Sequence, residues 1–479
     1  MTNEKKPSLL QSLIPLIFLV GLLGLNVAFY GDNSLSGANQ MALLFSAGIA
    51  AVVAMLIGQK WDKLFDGVIS SVESALPALI ILLMIGALAG TWLISGVVPA
   101  MIYYGLEILN PTIFLFATCI ICSIVSLATG SSWTTVATVG VALMGIGRIL
   151  GFGDGMIAGA IISGAYFGDK MSPLSDTTNL APAMAGTDLF THIKHMMWTT
   201  FPSITIAALL FLGLGFTAGS GADVGGVETL QTAIASKFNI SLGLFLVPAV
   251  VVGLIVKKVP AVPALFIGAL VGGIAAIAFQ PEVVKSLASD GSSYAQASYM
   301  VMIDAMTTDI AIETGNATAD ELLGSGGMAG MLNTIFLIIC AMIFGGIMEA
   351  SGMLERIAQT ILKLAKSTGS LIASTAGTCM VFNVTASDQY LAIVVPGRMF
   401  ANEYKDRGLA GENLSRTLED SGTVTSALVP WNTCGAYHAG VLGVATGTYL
   451  PFAFFNIISP LMTILYGYMG WKINKLVKK

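Results

Sequence analysis

The sequence predicts an all-α polytopic membrane protein: two inverted repeats of five transmembrane helices, each repeat with a re-entrant hairpin and a broken helix. Three observations carry that prediction. The 479 residues are 55% hydrophobic and only 10% charged, where a soluble domain carries about 25% charge. Apolar runs of about 18 residues or more, enough to cross a bilayer core, recur along the whole chain. A shift of about 257 residues lays landmarks of the second half over those of the first, an internal symmetry found in polytopic folds.

In chain order, Lys5 and Lys6 precede an apolar run over 9–30. It is longer than a signal-peptide core and ends without a small-residue cleavage site, so it reads as a retained helix. Further crossings are predicted over 41–58, 73–95, 190–216, 240–257, 260–279, 329–350 and 449–471, with broken crossings over 155–187 and 413–446. Two stretches, 111–150 and 369–400, hold two apolar arms around a small polar tip, Thr129-Gly130-Ser131-Ser132-Trp133 and Thr385-Ala386-Ser387-Asp388-Gln389-Tyr390. They read as hairpins that enter and leave on one side; pairs of ordinary short helices are the simpler alternative. The first repeat spans 1–216, a Gly-rich extracytoplasmic linker 217–239, and the second repeat 240–479. Within the latter, 280–328 reads as a solvated extracytoplasmic loop, acidic through Asp290, Asp304, Asp309, Glu313, Asp320 and Glu321.

Charge sets the orientation. With ten crossings and two hairpins, a cytoplasmic N-terminus puts every Lys and Arg on the cytoplasmic side except Arg148, Lys170, Lys237 and Lys285. That bias, which includes Lys258 and the tail residues Lys478 and Lys479, predicts both termini in the cytoplasm. Five crossings per repeat is an odd number, so the repeats insert with opposite orientation. Their landmarks correspond at a shift of 257 or 258: Ser163-Gly164 with Ser421-Gly422, Pro173 with Pro430, Pro202 with Pro460, and Ser175-Asp176-Thr177 with Asn432-Thr433-Cys434.

Several chemistries lose their sequence support. No Gly-Lys dipeptide exists for a phosphate-binding loop, and no His-Glu-x-x-His for a zinc protease. With three histidines there is no nucleophile and base set, so an enzyme is not expected, nor a cofactor, nor nucleic acid as a partner. Cys119-x-x-Cys122 reads as packing on one helix face rather than redox chemistry. His192 and His195 read as interfacial, and Glu419 and Asp420 as first-turn acids near the cytoplasm that favour a helix dipole.

What remains is the polar break Phe167-Gly168-Asp169-Lys170-Met171-Ser172-Pro173-Leu174-Ser175-Asp176-Thr177-Thr178-Asn179, flanked by small apolar residues. In lipid such a break persists only where it lines a cavity, and charges there mark a pathway or a site. Paired broken helices in two inverted halves point to the binding site of a secondary transporter. The two tips and two breaks offer Asp176, Asp388, Asp169, Ser131, Ser132, Thr177, Thr178, Asn179, Thr385, Ser387, Asn432 and Thr433, with Thr129 beside them. Hard oxygens with one or two carboxylates suit a small cation such as Na+, with Asp176 and Asp388 as its metal ligands; half-helix N-termini would instead favour a carboxylate substrate. Asp176 and Asp388 are the expected buried proton-exchanging groups. Lys170 is expected to pair with Asp169, and Asp388 has a helix cap as its alternative role.

Gly168 to Asn179, preceded by Ser163-Gly164-Ala165-Tyr166, closely resembles the signature of the NhaC sodium/proton antiporter family, and the resemblance runs from about Leu76 to Pro460. It implies the ion-transporter fold of two inverted repeats, elevator-like alternating access, a homodimer, a bacterial inner membrane, and Na+ and H+ as cargo. Relatives with the same core motif exchange organic acids such as malate and lactate, or resemble amino-acid exchangers; Lys170, Asn179 and Asn432 are the groups here that could meet a carboxylate.

Overall fold

The computed structural model describes residues 6–30, 34, 37–108, 110–218, 224–257, 259–288 and 291–476. Lys5, Lys258, Asp290, Lys478, Lys479 and the side chain of Glu321 lie outside that description. Long helices dominate: α1 (Leu9–Tyr30), α2 (Ala38–Leu56), α3 (Trp61–Ile94), α4 (Phe114–Thr129), α5 (Asp154–Met171), α6 (Asp176–Ala185), α7 (Leu189–Ala218), α8 (Ala261–Phe279), α9 (Leu332–Ala350), α10 (Thr368–Thr385), α11 (Leu391–Asp406), α12 (Gly411–Leu418), α13 (Thr433–Leu442) and α14 (Phe454–Met469). Among the described residues, 7 helices are long and apolar enough to cross a bilayer, or up to 9 if each of two bent pairs is one span. The chain is a multi-pass, predominantly helical membrane protein. The broken pairs α5–α6 and α12–α13 are not among them: α5 is 18 residues long but carries Asp154, Asp169 and Lys170, and α6, α12 and α13 are each 10 residues or shorter. Pro111–Thr129, expected as half of a hairpin, is by itself long and apolar enough to cross.

Small residues set the packing. Helices in lipid associate through close backbone approach, and the apolar, small arm of α5 does this against α4. A Cβ at Gly164 would lie 2.2 Å from the Cys119 carbonyl oxygen, and one at Gly168 2.4 Å from that of Ser123. Cys119 and Cys122 are therefore buried packing residues. On the other side of the molecule, α1, α2, α3, α8 and α9 share one apolar cluster. There the Trp92 indole N–H donates to the Gly268 carbonyl at 3.3 Å.

Two segments depart from expectation. The predicted linker 217–239 contains the helix Val224–Lys237, which buries Leu230 and Ile234 one turn apart. The predicted solvated loop 280–328 is ordered into the helices Pro281–Leu287, Tyr294–Thr307 and Ala317–Leu322, with a short antiparallel pair of Ile310–Ala311 and Gly324–Ser325. Its apolar residues Val283, Val284, Ala297, Val301 and Ala305 are buried. A Cβ at Gly90 of α3 would meet the Ala305 carbonyl at 1.7 Å, so this segment packs directly on the membrane helix.

Candidate functional site

Each tip is built by turn chemistry at the end of an apolar arm. Gly130 ends α4 in the left-handed region (φ 70°), and Ser131 starts the next arm as N-cap, its Oγ accepting from Thr134 N at 3.2 Å. After α10, Ser387 adopts the same conformation (φ 60°), which a residue with a side chain rarely does. Asp388 then accepts from Leu391 N at 2.9 Å, so the expected helix-capping contact exists. The breaks are capped in the same way. Ser175 Oγ accepts from Thr178 N, and Asn432 Oδ1 from Cys434 N at 3.0 Å.

Tips and breaks meet within and between the halves. Asp169 Oδ2 accepts from Ser132 N (3.0 Å) and Ser132 Oγ (2.6 Å), tying the first tip to α5. A Cβ at Gly130 would lie 2.6 Å from Leu174 Cβ, so the tip backbone touches the first break. The second tip is joined to the second break by Thr433 N donating to the Ser387 carbonyl at 2.9 Å and by Asn432 Nδ2 donating to Asn383 Oδ1 at 3.1 Å. Across the halves, Trp133 stacks on Tyr437 with ring centroids 3.9 Å apart, and the Tyr437 hydroxyl donates to the Trp133 carbonyl at 2.8 Å. His438 Nε2 lies 3.0 Å from the Tyr166 hydroxyl.

Residues 164–471 match the Na+/H+ antiporter family. The chain belongs to that family. It is 40% identical to the Na+/H+ antiporter NhaC of Alkalihalophilus pseudofirmus, covering 89% of both chains. It is 37% identical to a malate-2H+/Na+-lactate antiporter of Bacillus subtilis over 98% of this chain and 96% of that one. It is 36% identical to the arginine/ornithine antiporter ArcD of Halobacterium salinarum over 98% and 94%. A family of antiporters carries out transport, not enzymatic catalysis.

Within this family member the expected site residues divide. Asp169, Ser132, Thr177, Thr178, Thr385, Ser387, Asp388, Asn432 and Thr433 are buried where tips and breaks converge, with Thr129. Ser131 is half-buried. Some of these are braces: Thr178 Oγ1 donates to the Asp169 and Lys170 carbonyls (3.2 and 3.0 Å), and Thr385 Oγ1 to the Val381 carbonyl (2.7 Å). The Ser387 hydroxyl has no hydrogen-bond partner among the described residues. Two expectations need correction. Asp176, expected to be buried, is exposed at the first position of α6, because it follows the cap and projects from the half-helix away from the α5 contact. Asn179, on the same face, is also exposed, and its Nδ2 braces the break by donating to the Pro173 and Ser175 carbonyls (3.0 and 2.7 Å).

Lys170, expected beside Asp169, pairs instead with Asp420, and Ser459 Oγ bonds to both partners at 3.1 Å. Successive residues of a helix point about 100° apart, so Asp169 faces the tip and Lys170 the opposite element. Glu419 and Asp420 are therefore no interfacial acids: both are fully buried, in a π-helical stretch Glu419–Thr423. His192 and His195 are likewise buried, and His192 Nδ1 lies 2.8 Å from Ser415 Oγ. The shift that sets Ser421-Gly422 against Ser163-Gly164 contained the missed signal, since it also sets Asp420 against Ile162, deep within α5. A shift of 257 sets Gln389 against Ser132, whereas Asn383 and Arg416 gave no such signal.

Proposed function

We propose that this protein exchanges Na+ for H+ across a bacterial inner membrane by elevator-like alternating access. The observation that carries the reading is the convergence of two hairpin tips and two helix breaks on buried hard oxygens, in a member of the Na+/H+ antiporter family. Asp388 and Asp169, with Ser131, Ser132, Thr177, Thr385, Ser387, Asn432 and Thr433, furnish the Na+ shell. Asp176 and Asn179 stand at its exposed edge, and Thr178 and Asn179 brace the break.

Backbone geometry supports the repeat. Left-handed residues recur 257 positions apart at the tips, Gly130 and Ser387, and at the ends of the half-helices, Gly186 and Gly443. The break caps Ser175 and Asn432 stand at the same separation. Ser132 bonds to Asp169, and the equivalent Gln389 accepts from Ser426 at 3.4 Å. On this reading 1–216 and 240–479 are the repeats, joined through 217–239, the stretches around the tips are re-entrant, and both termini face the cytoplasm, as the Lys and Arg bias requires. Two copies pair as in related carriers.

Exchange of a small organic acid or amino acid is the rival reading, motivated by the malate/lactate and arginine/ornithine relatives. The groups that would meet a carboxylate are engaged: Lys170 by Asp420, Asn179 by two carbonyls, Asn432 by Asn383. The purified protein in liposomes decides between them. An imposed Na+ gradient should drive proton movement reported by a trapped pH dye; exchange of malate, lactate or arginine without Na+-driven proton movement would overturn Na+/H+ exchange.

A further inference from the structure

Away from the ion site, a cavity of about 300 Å³ lies where four membrane helices have their ends: before α1, after α2, before α3 and after α9. Lys6, Lys63 and Arg356 line it, and so do Glu349 and Glu355. Three cations and two carboxylates thus face one space. Lys63 Nζ donates to Gln59 Oε1 at 2.9 Å, and Glu355 Oε1 accepts from Gln359 Nε2 at 2.7 Å. Among the described residues, however, no ion pair joins Lys6 or Arg356 to either carboxylate. Arg356 is half-buried, and its Nε, kept from water, has no hydrogen-bond partner among the described residues. A shielded donor without an acceptor is costly, and opposite charges that line one cavity without pairing each lack a counter-charge. A ligand carrying both signs relieves all of them together.

The setting identifies that ligand. Trp61 and Phe65, at the start of α3, are exposed and stacked with ring centroids 6.0 Å apart, and aromatic rings at the ends of membrane helices sit at headgroup level. Leu10 and Leu56, at the ends of α1 and α2 that meet here, are 70% and 81% exposed, an apolar surface for acyl chains. Basic pockets between membrane helices on the cytoplasmic side take phospholipid headgroups, and the guanidinium fork suits a phosphate. A primary ammonium adds three N–H donors for the carboxylates. Phosphatidylethanolamine has both groups. Phosphatidylglycerol has no cation, and the quaternary ammonium of phosphatidylcholine has no donor.

We propose that this cavity binds the headgroup of phosphatidylethanolamine from the cytoplasmic leaflet, its phosphate on Arg356 and Lys6 and its ammonium on Glu349 and Glu355. Only the choice of leaflet rests on the orientation proposed above. The bound lipid ties the start of α1 to the helix Met353–Leu362 that follows α9.

Native mass spectrometry of the full chain, purified in detergent and titrated with single phospholipids, tests it. Phosphatidylethanolamine should bind at least about tenfold more tightly than phosphatidylglycerol or phosphatidylcholine, and Arg356→Gln should weaken it by at least about tenfold. Lys6→Gln, at an exposed position, should weaken it severalfold and serves if Arg356→Gln does not purify monodisperse. The double variant Glu349→Gln, Glu355→Gln should bind phosphatidylethanolamine and phosphatidylglycerol alike. Equal binding of the two lipids by the wild-type protein overturns the assignment, as does unchanged binding in the Arg356 and Lys6 variants. Displacement of the lipid by soluble glycerophosphoethanolamine would make the free headgroup the ligand and overturn the lipid assignment. None of these readings depends on cargo, so a failure of Na+/H+ exchange in liposomes leaves the lipid site standing.

Discussion

Lys170 and Asp420 hold each other and are held in turn by hydroxyls. Ser459 Oγ bonds to both at 3.1 Å, and Thr199 Oγ1 donates to the second carboxylate oxygen at 2.8 Å. Four elements are joined there: α5, α7, the π-helical stretch and α14. Breaking a buried pair by removing one partner leaves an uncompensated charge and costs about 3–5 kcal/mol, whereas replacing both by apolar groups is often close to neutral. Lys170→Met should therefore destabilise the protein by about 3–5 kcal/mol, and Lys170→Met combined with Asp420→Leu should recover most of that loss. Unfolding of the purified variants in detergent checks this. A double variant no more stable than the worse single one would show that the pair is not what fixes α5 against the second broken helix. This contact was illegible in the sequence: its partners are 250 residues apart, and the nearest opposite charge to Lys170 along the chain, Asp169, points elsewhere.

At the scale of the element, the tips and breaks were legible because they are made locally. Gly, Ser, Thr and Pro interrupt apolar runs, and the interruption is itself the structure: a left-handed residue, then a cap, then a new helix. The segment 280–328 was not legible, because its acids dominate its composition while the few apolar residues that bury it on α3 gain their meaning from a helix distant in sequence. Asp176 failed for a related reason. Its place in the motif was clear, but the direction of its side chain depends on the turn of α6 after the Ser175 cap. The second tip separates backbone from side-chain function. Ser387 holds φ 60° at a cost of about 1–2 kcal/mol relative to glycine, while its buried hydroxyl finds no hydrogen-bond partner among the described residues. Ser387→Gly should keep or raise the melting temperature, yet raise the Na+ concentration for half-maximal exchange by about tenfold, the equivalent of one lost ligand oxygen at about 1.4 kcal/mol. Unchanged Na+ dependence would remove Ser387 from the ion shell and leave its hydroxyl without a role.

For the whole molecule the proposed inverted repeat makes a demand that neither half makes alone: equivalent positions must face opposite sides of the membrane. Ala183 of α6 and Gly440 of α13 are 257 residues apart. Gly440 lines a cavity of about 500 Å³ with Asp154, Asn333, Thr334 and Thr448, which reaches Pro430 at the second break. A Cβ at Gly440 would lie 2.4 Å from Thr334 Oγ1, so Thr334 reports on the same space. Ala183 is exposed on the face of α6 that carries Asp176 and Asn179; polar groups on a membrane-embedded helix face a water-filled crevice rather than lipid. On the proposed orientation, with both termini in the cytoplasm, the cavity would open outward and the crevice inward. The five native cysteines are buried and give a quiet background. A membrane-impermeant maleimide should label Thr334→Cys only from outside and Ala183→Cys only from the cytoplasmic side. Because alternating access opens one side at a time, a change from saturating Na+ to Na+-free acid should speed one reaction and slow the other. Labelling of both from one side would defeat the inverted topology. Rates that rise and fall together would leave the topology standing and defeat alternating access.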